Sequence, residues 1–556
     1  MRQLFDKKKV LLISILILAG SLRLWNLSAI PSSLYSDEVA QGYNAYSILK
    51  TGNDEFGHFL PVAYRSFGDW KPALSTYLAI PGIILFGLNE TGIRIAPAVL
   101  NTLAVFVVYL FIKELLSGKK YRQKLALLGS FLIAVSPWHI LHSRALFFEA
   151  QGLLFLMTGV LFFLKFLRGR ILYLYVSVPA FVLSVYAYHS LRIFTPLIVL
   201  FLVISFVRKI YPLGNKLILP LLFGFILVLP LALSFVKNPD VILGRAKYIS
   251  IFYDREVPLS IWKKETEDAS SSSIILTNFL HNKPYNYLLE VSRNYLSHFD
   301  GRFLFLSGDT KTPFQIPGMG ILYLLDLPLI LAGVYFIIRK KETNSRLLIF
   351  WLLISPIPAA LTFLVPSSNR ILNVLPVLVI FTGYGLIQLL KKTKLTAILF
   401  SFAFALSLAY FMHQYFIVLP LNHSGWWHYG TKQLVTALNK PEYSGKNVIV
   451  SNSLGVPYIF FLFYNSYDPS LYQKEGKYNG TIDKLGFVHV DSFDRYEFPR
   501  EFNWEEVKNN PLPGTIYVVG PDESKEETNQ NETIYYPDGK IAYKIFITPV
   551  RKNLFK

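Results

Sequence analysis

The sequence predicts a mainly α, multi-pass membrane protein: a bundle of about eleven transmembrane helices with extracytoplasmic loops and a C-terminal soluble α/β domain. Three observations predict it. Hydrophobic residues make up 53% of the 556 residues and charged residues only 16%, whereas soluble domains run near ~25% charged. Eleven stretches approach the ~20 mostly apolar residues that a spanning helix needs. Beyond residue 421 the long apolar runs give way to one amphipathic helix and short strand-like runs.

The formal charge of +19 invites a nucleic-acid surface, but its distribution argues otherwise. The connections that alternate along the chain hold Arg2, Lys7–Lys9, Lys119, Lys120, Arg122, Lys124, Arg168, Arg170, Arg208, Lys209, Lys216, Arg339–Lys341, Arg346, Lys391, Lys392 and Lys394, against only Asp6 and Glu342. Nearly the whole excess is therefore topological, by the positive-inside rule, and no nucleic-acid partner is expected. The absence of cysteine excludes disulfides, thiolate metal sites and a cysteine nucleophile. Residues 10–27 follow Lys7–Lys9 like a signal peptide, but Leu24–Trp25–Asn26 stand where a small-residue cleavage site would be. An uncleaved anchor is the expectation.

Taken in order, the apolar stretches are 10–27, 93–116, 125–142, 147–167, 171–189, 193–207, 216–236, 319–338, 346–365, 371–390 and 395–418. Residues 74–88 are apolar but short and carry Pro81 and Gly82, which suits a re-entrant or interfacial helix. With the N-terminus in the cytoplasm, eleven crossings of a prokaryotic cell membrane put the C-terminal domain outside, and the charge pattern agrees with that parity. The outer segments are then 28–92, 237–318 and the tail. The middle one has the Ser270–Ser273 run and HNKPYNYLLEVSRNYLSHF, whose helical apolar spacing fits a helix lying on the membrane or a plain surface helix. In the tail, TKQLVTALNK reads as an amphipathic helix, and KNVIVSNS and GTIYVVGP read as buried strands followed by turns. This divides the chain into a transmembrane domain, 1–420, and an α/β domain, 421–556, without a nucleotide or metal motif.

Chemistry concentrates in residues 31–72, PSSLYSDEVAQGYNAYSILKTG through SFGDWKP, which collect Asp37, Glu38, Asp54, Glu55, Asp69 and Lys71 beside an apolar helix. Acids so placed are costly unless they work or are paired. The topology brings Asp37, Glu38, Asp69, Lys71, Arg94, Arg144, Glu149, His189, Arg192 and Arg370 to outer loops or outer helix ends. Mixed cations and acids there suit an anionic substrate served by an acid/base group. Each residue also has a plainer reading. Asp37 or Glu38 can cap the helix that begins near Val39. Arg94, Lys71, Arg192 and Arg370 can anchor at the headgroups. Arg144 can pair with Glu149, and His189 can be a packing residue.

The order of these motifs carries a resemblance: an uncleaved first helix, the Asp37–Glu38 pair, GDWKP, NETGIRIAP, SPWHILHSRALFFEA and YHSLRI. It resembles the membrane glycosyltransferases of the C-type fold that use polyprenyl-phosphate sugars, the protein O-mannosyltransferases and lipid A aminoarabinose transferases (glycosyltransferase family 39-like). The resemblance covers residues 1–210 well and fades beyond. Ser36 stands where the family often has an aromatic residue before the acid pair. The resemblance implies that Asp37 is the catalytic acid residue of the first loop, with Glu38 and Asp69 as the other carboxylates, and that Lys71 meets the lipid phosphate. Arg144, Arg192 and Arg370 are further phosphate candidates, with Glu149 and His189 as site candidates. The implied reaction displaces a sugar from polyprenyl phosphate by an acceptor hydroxyl on a lipid, glycan or protein, with inversion. Asp37, Glu38 and Asp69 are also the candidate oxygen ligands for a divalent cation, Mg²⁺ or Mn²⁺. The competing classes are a ligase or polymerase of lipid-linked glycans and a transporter or flippase. A transporter would place its polar residues nearer the bilayer midplane.

Overall fold

The computed structural model describes residues 7–253, 256–268, 274–340, 344–389, 394–451, 455–482, 488–524 and 530–548. The Ser270–Ser273 run lies outside the described residues, as do Arg2, Asp6, Lys341, Glu342, Lys391 and Lys392 of the charge pattern.

Every apolar stretch contains helix. The chain opens with α1 (Lys7–Leu24), α2 (Ser36–Thr51), a hairpin of β1 (Ala63–Ser66) and β2 (Asp69–Pro72), α3 (Leu74–Phe86) and α4 (Glu90–Leu115). Further apolar helices include Phe148–Phe166, Leu174–Ala187, Leu191–Ser205, Ile218–Lys237, Asp326–Arg339, Ser345–Ile354, Leu375–Leu389 and Lys394–His413. Among the described residues, five helices are long and apolar enough to cross a membrane by themselves. The count is six if Arg122–Ala134 and Pro137–Ser143, bent by 57°, form one span. Pro137 explains that bend, because it lacks the N–H that would continue the ladder. The span expected over 319–338 begins only at Asp326. Pro317, Gly318 and Gly320 break the helix, and Leu322 instead donates its N–H to the Leu304 carbonyl at 2.8 Å.

The chain forms two compact units, and their limits differ from the 1–420 and 421–556 division read from the sequence. One comprises Met1–Trp25, Pro97–Ser143 and Phe147–Gln414; the other comprises Asn26–Ala96, Arg144–Leu146 and Tyr415–Lys556. The first loop thus belongs to the same unit as the tail.

The first unit packs around Phe111, Trp138, Trp351 and Phe381. Its broken helix frees carbonyls that would be costly to leave unpaired. Buried Arg23 of α1 takes up two of them, Ile133 at 3.2 Å and Ala134 at 3.0 Å, and meets His139 Nδ1 at 2.7 Å. In the helix Lys283–Ser297, Tyr285, Leu288 and Leu296 point outward while Asn286 and Asn294 are buried. Lys283, Ser292 and Arg293 share the exposed face, which is therefore of mixed character.

The second unit is built on a seven-stranded sheet: β3 (Val448–Val450), β4 (Lys477–Ile482), β5 (Val488–Phe493), β6 (Tyr496–Glu497), β7 (Ile516–Val519), β8 (Glu532–Tyr535) and β9 (Ile541–Ile547), in the order β4-β5-β6-β3-β7-β9-β8. The central β3 is parallel to both neighbours, and the outer pairings are antiparallel. The tail keeps a small cluster of its own around Trp504, Tyr517, Val519 and Phe546, and shares its larger core with the first loop. Val39, Tyr43 and Ala45 of α2, with Phe67, Ile83 and Ile93, join Val448, Phe460, Phe461 and Phe463 in one apolar cluster. Gly42 makes that docking possible: a Cβ there would lie 2.7 Å from the Phe463 ring and 2.9 Å from Ile93.

Candidate active site

The site is assembled at the start of α2. Asp37 and Glu38 lie in its first turn, where the helix dipole favours acids. Glu38 reaches back to accept the Tyr35 N–H at 3.1 Å, which fixes where the helix begins. Gly52 closes the other end in the left-handed conformation, φ 75°.

The two acids face different surroundings. Glu38 is fully buried and forms a fork-to-fork pair with Arg94, Nε to Oε1 and Nη2 to Oε2, both at 2.9 Å. It also accepts the Leu146 N–H at 3.0 Å. The other Arg94 hydrogens go to the carbonyls of Leu27, Pro31 and Ser33. This network ties together α2, α4, the 27–33 turn and the 144–146 connection. Arg94 is therefore a buried tie and not a headgroup anchor.

Asp37 is 35% exposed and pairs with the Lys71 ammonium, which is 7% exposed. The hairpin delivers that lysine. Phe67 and Gly68 both have positive φ, 56° and 85°, which a two-residue turn of this kind requires. The register Ser66↔Asp69 then sets Lys71 opposite Tyr64. The Lys71 ammonium also lies 4.3 Å from the Phe67 ring centroid. Asp69 stands at the head of β2, in the same hairpin.

The same loop holds an acid that sequence reasoning left without a role. Glu55 is almost fully buried, accepts from Asn44 Nδ2 at 3.0 Å and from the Tyr458 hydroxyl at 3.3 Å, and is pushed up to about 8 by burial. Its neighbour Asp54 accepts the N–H groups of Phe56 and His58 and orders the turn. Buried Tyr64 has its phenol raised well above the usual range by desolvation. The tail adds two residues. The Arg94 guanidinium sits 5.8 Å from the Trp427 ring, and the His428 ring lies 5.5 Å from Tyr35. Nothing local in the sequence pointed to Tyr458, Trp427 or His428. A tail loop with two consecutive tryptophans before a histidine was the only available signal.

Arg144 lies in the same unit. It donates to the Ile30 carbonyl at 2.8 Å, and its guanidinium sits 5.1 Å from the Phe416 ring. Glu149, the partner the sequence offered for Arg144, pairs with His142. The remaining candidates fall in the first unit. Half-buried Arg192 donates to the Val241 carbonyl at 3.3 Å. His189 stands edge-on to Tyr188, with ring centroids 6.5 Å apart. Arg370 is buried, donates to Thr362 Oγ1 at 2.5 Å and to the Leu364 carbonyl at 2.8 Å, and is lowered to about 10 by desolvation.

The carboxylates do not form a cation cage. Both Glu38 oxygens are engaged by donors, and Asp37 faces Lys71. Among the described residues no three acids or histidines gather as a metal site. The divalent-cation set Asp37, Glu38 and Asp69 does not fit this geometry.

Residues 13–180 match the family model described as dolichyl-phosphate-mannose-protein mannosyltransferase. No curated protein sequence matches the chain. Among solved structures, ArnT from Cupriavidus metallidurans in the apo state is similar with a TM-score of 0.56 and 13% identity, over 97% of this chain and 98% of that one. The same protein bound to undecaprenyl phosphate gives 0.54 and 12%, over 96% and 97%. The oligosaccharyltransferase AglB from Archaeoglobus fulgidus, in complex with an inhibitory peptide and a dolichol-phosphate, gives 0.47 and 13% over 82% of this chain, which spans only 64% of its length. The chain thus has the fold of ArnT over nearly its whole length, and residues 13–180 carry the similarity to the mannosyltransferase family model.

Proposed function

We propose that this chain is an integral-membrane glycosyltransferase that moves a sugar from a polyprenyl-phosphate donor to an acceptor hydroxyl, with inversion at the anomeric carbon. The observation that carries the reading is the Asp37–Lys71 pair: a partly open carboxylate held against a nearly buried ammonium, in a chain with this fold. The acceptor oxygen attacks the anomeric carbon, and the bond from that carbon to the phosphate oxygen breaks. The acceptor proton passes to Asp37, and the phosphate leaves with the electron pair. A placed base of this kind contributes roughly 10²–10⁴-fold. Lys71 stabilises the charge that gathers on the phosphate. As Lys71 turns from Asp37 to the incoming phosphate, the carboxylate oxygen it occupied becomes available to the acceptor proton.

Glu38 has a different part in this reading. With both oxygens saturated it takes no proton; it holds the first turn of α2, and so Asp37, in place. The donor class is supported by the polyprenyl phosphate named for the matched family and for the ArnT complex. The acceptor is a lipid, glycan or protein at the extracytoplasmic face. The alternating Lys/Arg clusters support that topology, with the N-terminus in the cytoplasm.

Mass spectrometry of envelope glycans and glycoproteins, with and without the protein, tests the proposal. A glycan species disappears without the protein and returns with the wild-type gene. Asp37→Asn nearly matches the shape of Asp37 but cannot take the proton, so it restores under about a hundredth of that product. Lys71→Ala lowers binding of undecaprenyl phosphate to the purified protein. Unchanged envelope glycans, or full restoration by Asp37→Asn, rejects the reading.

A further inference from the structure

The tail brings one polar side chain beside Tyr35, the residue that precedes α2 two positions before Asp37, and neither the fold nor the acid pair accounts for it. After the last apolar helix the chain runs Ser424–Gly425–Trp426–Trp427–His428–Tyr429–Gly430. Two consecutive residues of this loop pack beside Arg94 of α4 and Tyr35 at the start of α2. Trp427 is fully buried with the Arg94 guanidinium 5.8 Å from its ring, and the His428 ring lies 5.5 Å from Tyr35, two residues before Asp37. On its other side the imidazole meets the Phe460 ring at 5.1 Å.

The loop is built to hold this residue. His428 is in the left-handed conformation, φ 50° and ψ 37°, which few non-glycine residues adopt. Its carbonyl accepts from the Thr431 N–H and hydroxyl, and its own N–H donates to the Gly425 carbonyl. Backbone held in this region clusters at working sites. Desolvation pushes the imidazole down to about 4, although the nearby Asp37 carboxylate pulls the other way. The ring is therefore neutral at physiological pH, with one N–H donor and one bare acceptor nitrogen. Among the described residues neither ring nitrogen has a hydrogen-bond partner in the protein.

We infer that His428, supplied by the C-terminal tail, is a catalytic residue of the Asp37 centre that hydrogen-bonds the acceptor hydroxyl and aims it at the anomeric carbon. The inference rests on the function proposed above. Its chemistry follows from the juxtaposition. A hydroxyl that gives its proton to Asp37 still has a lone pair for attack and a second for a neighbouring donor. A neutral imidazole donates to that second lone pair without competing for the proton. A neutral ring also adds no second positive charge beside Asp37, which Lys71 already pairs. In this arrangement the tail is more than a lid or a structural domain, because the centre is incomplete without it.

The test uses the full-length protein and three variants. His428→Phe keeps a flat ring between Tyr35 and Phe460 and removes both nitrogens. His428→Asn tolerates the left-handed backbone and keeps one donor and one acceptor. Asp37→Asn controls for the centre itself. Product restored in the envelope is read against the amount of folded protein, and undecaprenyl phosphate is the probe for lipid binding. His428→Phe is expected to fold and to bind undecaprenyl phosphate like wild type, while restoring at most about a tenth of the product. His428→Asn restores more than His428→Phe. Wild-type product from His428→Phe, no advantage of Asn over Phe, or lost undecaprenyl-phosphate binding in folded His428→Phe overturns the inference. If His428→Phe does not fold, His428→Asn decides alone: wild-type product from it supports the polar role, and product as low as that of Asp37→Asn at normal folding overturns it. Wild-type product from Asp37→Asn would sink the reading of the centre as a whole, whatever His428 does.

Discussion

Asp37 and Glu38 are adjacent in sequence and opposite in circumstance. Asp37 is partly open and faces one nearly buried cation; Glu38 is sealed against Arg94 with four donors on two oxygens. Breaking a buried pair by removing one partner costs about 3–5 kcal/mol, because the other charge stays buried. Glu38→Gln and Arg94→Ala should therefore lower the thermal midpoint and the yield of monodisperse protein in detergent, whereas Asp37→Asn leaves both near wild type. A Glu38→Gln protein of normal stability without turnover would return Glu38 to the chemistry. Glu55 makes a second prediction at this scale. Its carboxyl stands at about 8 in the folded protein against an ordinary 4.5, so the folded state binds the proton more tightly than the unfolded state. The stability it contributes is complete below pH ~4.5 and falls away as pH rises through ~8. Glu55→Gln, which keeps the neutral form, should remove that part of the slope when midpoints are compared at about pH 6 and about pH 8.5. An unchanged slope would show that the carboxyl is ionised throughout.

Between elements, the decisive contact is α2 on the tail helix Tyr458–Tyr464. Gly42 lies where they meet, with no room for a Cβ. Gly42→Val should separate the two elements, destabilising the protein by about 1–3 kcal/mol as overpacking does. It should also lower glycan transfer in proportion to the loss of folded protein. Wild-type stability in Gly42→Val would mean that the two helices are not packed as described. The same contact shows what covers the larger core of the tail's α/β domain. Leu434, Val448, Phe460 and Phe463 are buried together with α2 and the hairpin. Of the tail's seven strands, β3 and β7 were legible because each is an uninterrupted apolar run followed by turn residues; the other five were not read. What covers β3 and β7 was not legible, since an apolar run has the same pattern whatever packs on it.

For the whole molecule, the charge pattern sets a testable topology. Reporter fusions at residues 120 and 340 should read cytoplasmic, and those at 290 and 480 extracytoplasmic. Two reversed reporters would overturn the arrangement. The sequence by itself determined the class of protein, the positions of the apolar helices, the acid-rich first loop and the strand-bearing tail. These depend on composition, length and spacing within about one element, and such signals survive without knowledge of what packs where. Tertiary structure alone decided which acid is open and which is sealed, that Arg94 is a tie, that Glu149 takes His142, and that His428 stands beside Tyr35. Each of these is a pairing between groups on different turns or different elements, up to about 400 residues apart. The free energy of a charge depends on the burial and the partners that only the assembled fold supplies.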